Sequence, residues 1–101
     1  MVLARVASWK FKHEMRLKGF DALEKTITEA TRKTKGFRGS MVLLPVGKLD
    51  TGVVITIWEN ENSLKSYSRD VVPRANRPLK KYVIGHPNVK LYRVFSAELK
   101  Y

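Results

Sequence analysis

Cysteine is absent from the 101 residues, and so is glutamine. The first absence excludes disulfides, thiolate metal ligands and cysteine nucleophiles. Loss of both together is a tendency of thermophile proteins. Acids are few, 9 Asp and Glu against 20 Lys and Arg. No apolar run approaches the ~20 residues of a membrane-spanning helix, so no membrane partner is expected. The opening Met1-Val2-Leu3-Ala4-Arg5-Val6 is charged too soon for a secretory signal, which points to the cytoplasm. Val46-Gly47-Lys48 lacks the earlier glycines and the following hydroxyl of a phosphate-binding loop. Two isolated histidines, without a carboxylate cluster, make a poor metal site. Ser8, Ser40, Ser63, Ser66 and Ser68 have no histidine and acid at a recognisable spacing for nucleophilic hydrolysis.

What is present is one domain's worth of ordinary globular sequence, residues 1–101, at 44% hydrophobic and 10% aromatic. The unusual quantity is a net charge of +11. Such a field attracts nucleic acid, anionic surfaces or small anionic substrates. The charges are spread from Arg5 to Lys81 and beyond rather than gathered in one tract. A solvated basic surface with no dedicated partner therefore stays open.

Residue order predicts strand, helix, strand, strand, helix, strand. Val2 to Lys12 alternates, with Leu3, Arg5, Ala7, Trp9 and Phe11 on one face. From Arg16 the step changes to three and four, through Leu17, Phe20, Leu23, Ile27, Ala30 and Thr34. Gly36 is a natural stop for that helix, and Gly19 is a candidate for a late start. Phe37 to Leu44 and Thr51 to Glu59 are the next strands, close enough for a hairpin across Lys48-Leu49-Asp50. Asn60 or Asn62 caps a second helix whose apolar face begins at Leu64 and Tyr67. Pro73 and Pro78 break it, and Asn88 to Leu99 is the last strand.

Several strands are apolar on both faces. Val53, Ile55 and Ile57 oppose Val54 and Trp58, and Leu91 and Phe95 oppose Tyr92 and Val94. An antiparallel sheet with helices on one side should show water its other side. Two apolar faces imply a second cover, and a homodimer packed sheet to sheet is the simplest one.

The βαββαβ order, the Gly36-Phe37-Arg38-Gly39 turn and the strand ending Thr56-Ile57-Trp58-Glu59 before a helix resemble the antibiotic biosynthesis monooxygenase family. The resemblance spans nearly the whole chain. It implies an α+β fold, a ferredoxin-like protomer with an antiparallel sheet, paired as a dimeric α+β barrel. A ligand cavity would lie between each sheet and its own helices. The haem-degrading branch carries an aromatic where Tyr67 stands and a histidine ligand where Arg77 stands, and an asparagine on the first strand. Here no asparagine precedes Asn60, so the resemblance points away from haem. The branch that forms quinones without a cofactor surrounds an anionic aromatic with tryptophan, tyrosine, asparagine and arginine. It implies Trp58 and Tyr67 as ring-binding aromatics and Arg77 as the cation, with no cofactor.

The residue types suit that chemistry. A deprotonated phenol can reduce dioxygen without a metal or flavin if its ring is held, its charge balanced and water excluded. Arginine offers a permanent cation with a planar fork of donors, and tryptophan and tyrosine offer ring faces. Trp9 is a third aromatic candidate for the ligand. The base is His86, in the Gly85-His86-Pro87 turn, or His13. Each has a plainer reading: Trp58 as core, Tyr67 as helix packing, Arg77 as a solvated charge, His86 as a turn residue. A different class of function is a binding module. Phe11, Tyr92 and Phe95 on a ferredoxin-like sheet would stack RNA bases while lysines and arginines hold phosphates. A buried sheet face would exclude that use.

Overall fold

The computed structural model describes residues 1–47 and 49–100. Strand β1 (Leu3–Lys10) leads through a 3₁₀ turn (His13–Met15) into helix α1 (Arg16–Arg32). Strands β2 (Phe37–Leu43) and β3 (Thr51–Trp58) follow. The second helical segment runs through α2 (Glu61–Ser66), a π-helical turn (Tyr67–Val71), α3 (Val72–Asn76) and a 3₁₀ turn (Arg77–Leu79), before β4 (Asn88–Arg93). The sheet is antiparallel in the order β2-β3-β1-β4, so the sequence-distant β1 and β3 form its centre. This is the expected ferredoxin-like α+β protomer. Lys48 of the predicted hairpin lies outside the described residues, but β2 and β3 pair antiparallel as expected.

Period-two alternation decides the faces. Gly52, Val54, Thr56 and Trp58 of β3 are buried beneath the helices, opposite Trp9, Ala7, Arg5 and Leu3 of β1. Helix α1 lays Phe20, Leu23 and Ile27 against one end of this surface, with Phe11 meeting the Phe20 ring edge-on at 4.9 Å. At the other end Trp58, Leu64 and Tyr67 form a second cluster with Leu3, Phe37, Val71 and Val72 around it. The opposite sheet face carries Val53, Ile55 and Ile57 half-buried and Met41, Leu43 and Tyr92 exposed.

Several expectations are corrected. Gly19 does not begin the helix; it lies buried inside α1, where a β-carbon would sit 2.3 Å from the Phe11 ring. It is glycine because the Phe11 ring and Tyr82 leave no room for a side chain there. Leu17 is 72% exposed, on a first turn that overhangs the core. Nor does Gly36 stop the helix: α1 ends at Arg32, and Gly36 turns the chain into β2 at φ 86°, where a β-carbon would strike Ser63. Strand β4 stops at Arg93 rather than Leu99, and its six residues are all exposed. Among the described residues its only neighbour is β1, whose pairing ends at Leu3 opposite Arg93. Beyond the Val94 amide, which donates to the Val2 carbonyl, no further strand pairing is found among the described residues, and Phe95 is 93% exposed. Phe11, one of the three aromatics considered for stacking bases, is wholly inside the core.

Candidate functional site

The second helical segment positions the aromatic cluster. Asn60 holds an extended backbone, and its side-chain oxygen accepts the Ser63 amide at 2.9 Å, which satisfies one of the first amides of α2. Glu61 lies in the first turn, where the helix dipole favours a carboxylate. From that start Leu64, Tyr67 and Val71 recur on the face toward the sheet. The Tyr67 ring lies 4.5 Å from Trp58, tilted by 31°, and Phe37 meets Trp58 edge-on at 5.7 Å. The Trp58 indole nitrogen donates to the Thr56 hydroxyl at 2.9 Å, so both polar atoms are satisfied inside the sheet face. Trp58 is 0% exposed and Tyr67 1%. They are in contact as a packed wall.

Arg5 completes this group, and the sequence reading did not select it for the site. It is 7% exposed, with its guanidinium 5.8 Å from the centre of the Tyr67 ring. Burial lowers its pKa, and the only group opposing that shift is Tyr67. Burial also raises the Tyr67 pKa, with Arg5 pulling the other way. No ion pair among the described residues includes Arg5. A signal was available: it is the one charge among Leu3, Ala7, Trp9 and Phe11 on an alternating apolar face.

Beside the cluster lies a cavity of about 730 Å³, open at the β4 edge. Leu3 and Leu64 form its floor, Leu91 and Arg93 its β4 side, and Ser68 and Lys65 its helical side. It exists because α2 packs over β1 and β3 and leaves β4 uncovered. The volume is that of a small-molecule site.

The remaining candidates are elsewhere. His86 is exposed in a depression of about 260 Å³, whose lining includes the buried Trp9, Asn76 and Lys80. Arg77 borders another depression with Ala22, Pro78 and Tyr82. His13 is exposed and paired through Nδ1 with Asp50 at 2.8 Å. The structure thus brings Trp58 and Tyr67 together, puts Trp9 beside His86, and leaves Arg77 and His13 apart from both pairs. Among the described residues no group of three or more histidines and acids is placed to hold a metal ion, and no helix is long and apolar enough to cross a membrane.

A four-stranded antiparallel sheet under two helical segments, with a cavity between sheet and helix, defines the class as ferredoxin-like α+β. No protein-family model matches the chain, and no curated protein does. Solved structures do match. One is a cofactor-independent oxygenase of Streptomyces nogalater, 12% identical over 95% of each chain with a TM-score of 0.77. Another is a candidate antibiotic biosynthesis monooxygenase of Chloroflexus aurantiacus, 14% identical over 97% of each chain, TM-score 0.74. A third, from Bacteroides fragilis, is a dimeric protein with a ferredoxin-like fold, 15% identical over 92% of this chain and 96% of its own, TM-score 0.76. The chain is therefore similar in fold to antibiotic biosynthesis monooxygenase-like proteins. Identities this low establish the fold alone.

Proposed function

We infer that the chain binds a small anionic aromatic compound in the cavity between α2 and β4, and oxidises it with dioxygen without a cofactor. The observation that carries this reading is the cavity itself: about 730 Å³, lined by Leu3, Leu64 and Leu91, of which Leu3 and Leu64 pack in turn against Trp58 and Tyr67. A flat ring fits an apolar slot of that size, and a net charge of +11 favours the ionised form of a bound phenol. Similarity in fold to a cofactor-independent oxygenase supports the direction of the chemistry. The bound anion gives up electrons to dioxygen and loses a hydrogen from the ring carbon attacked. One oxygen atom stays as a new carbonyl and the other leaves as water, so a phenol becomes a quinone. Leu3, Leu64 and Leu91 hold the ring in place, with Trp58 and Tyr67 packed behind Leu3 and Leu64 to keep water out. His86 and Arg77 lie outside this cavity, and in this reading they do not touch the ligand there.

The protein works as a homodimer in the same proposal, its open sheet face covered by a second copy as in a dimeric α+β barrel. Support comes from the apolar Val53, Ile55, Ile57, Met41 and Leu43 on that face and from the dimeric ferredoxin-like protein of similar fold.

The test is tryptophan fluorescence with a panel of flat hydroxylated aromatics, followed by oxygen uptake with any that bind. Saturable quenching is expected in wild type and reduced in Trp58→Phe, with oxygen consumed in proportion to quinone formed. Quenching by none of them would make Trp58 core packing only and end the reading. Quenching without oxygen uptake would leave a binding protein.

A further inference from the structure

We propose that Arg5 and Arg93 form a two-arginine clamp for the ligand's planar oxyanion, a carboxylate or phenolate, at the inner end of the cavity between β4 and α2. The proposal rests on that cavity being the ligand site. It assigns the recognition of charge to β1 and β4, not to Arg77.

The pairing of β1 with β4 dictates the arrangement. Leu3 stands opposite Arg93 and Arg5 opposite Leu91. Residues opposite in an antiparallel pair point to the same face, so two leucines and two arginines alternate there like a checkerboard. Diagonal β-carbons in such a ladder are ~7–8 Å apart, near enough for long side chains to meet over one group. Leu3, Leu91 and Arg93 line the cavity, and Arg5 is set directly between the two leucines.

Among the described residues neither arginine has an acidic partner. The other basic side chains beside this cavity have acids of their own: Lys65 pairs with Glu61 at 3.0 Å and Arg69 with Asp70 at 2.8 Å. Arg5 and Arg93 appear in no ion pair among the described residues. An enclosed guanidinium without a carboxylate is costly, and a second arginine diagonal to it adds repulsion. The Tyr67 ring offsets part of this by lying under the cation. Yet no buried side-chain nitrogen among the described residues is wholly sealed without a hydrogen bond. The nitrogens of Arg5 without a hydrogen bond therefore keep some access to solvent, and although Arg5 does not itself line the cavity, it stands directly behind Leu3 and Leu91, which do. A planar oxyanion there would accept from both forks, while its ring lies on Leu3, Leu64 and Leu91.

A buried charge kept for a ligand has a signature that a structural charge lacks. Removing it should strengthen the empty protein and weaken binding. The experiment uses 2-naphthoate and its neutral match 2-naphthamide, measured by calorimetry on wild type, Arg5→Met and Arg93→Gln, with thermal unfolding of each. Wild type should bind the acid about tenfold or more tightly than the amide, and both variants should lose that preference. Arg5→Met should unfold at a higher temperature than wild type without ligand. Arg93→Gln, at an exposed position, keeps the test open if Arg5→Met does not fold. Wild-type preference retained in both variants would overturn the clamp while leaving the cavity as the ligand site. Lower thermal stability in Arg5→Met would make the arginine structural and also overturn it. Binding of neither probe by wild type would remove the cavity reading, and the clamp with it.

Discussion

Tyr67 joins the helical segment, the aromatic wall and the buried cation of Arg5. Its phenol lies against Arg5 and Trp58, and burial raises its pKa above the ordinary value of 10.0. The folded state therefore holds the proton where an unfolded chain would release it. The associated stability is intact below the ordinary value and is lost as pH rises through the raised one. Urea midpoints should fall as pH rises past the ordinary tyrosine value of 10.0, and Tyr67→Phe should flatten that fall. An unchanged slope in the variant would assign the alkaline loss to another group. Trp58 and Tyr67 could be picked out of the sequence because aromatics at a strand end and on a helix face have few places to go. The enclosure of Arg5 was not legible in the same way. Alternation fixes which face a residue shares, but not whether the element across from it brings an acid or a ring.

Among the elements, α2 is the most dependent on a single residue. It has six residues, too short to stand without packing and a cap. Asn60 supplies the cap, and Leu64 and Tyr67 supply the packing. Asn60→Ala should cost about 1 kcal/mol of global stability in denaturant unfolding. Because α2 also forms one side of the cavity, ligand affinity should fall with it. Loss of stability with affinity intact would separate the cap from the site. Strand β3 and the start of β2 were legible because their periods are strict and their ends carry Pro45, Gly36 or Asn60. The overhang at Leu17 and the early end of β4 were not, since both depend on where a neighbouring element runs out.

At the scale of the whole molecule the helices cover one side of the sheet and leave the other apolar and half-open. Ile55 is near the middle of that open face, between Val6 of β1 and Met41 of β2. Ile55→Lys should convert a homodimer to a monomer in sedimentation with little loss of secondary structure, because the position is only half-buried in the single chain. A wild-type protein that sediments as a monomer at all concentrations would remove the dimer from the proposal. The cover of helices is uneven in another respect. β1 is paired on both sides and β3 likewise, while β4 has one paired neighbour and no helix above it. Protection against local opening must therefore fall off toward β4. The cavity is bounded on one side by firm core and on the other by the strand that opens most cheaply. A ligand bridging the two would tie the loosest strand to the most rigid part of the molecule. Occupancy would then be felt as a stiffening of residues 88–93 before it changed anything in the centre of the sheet.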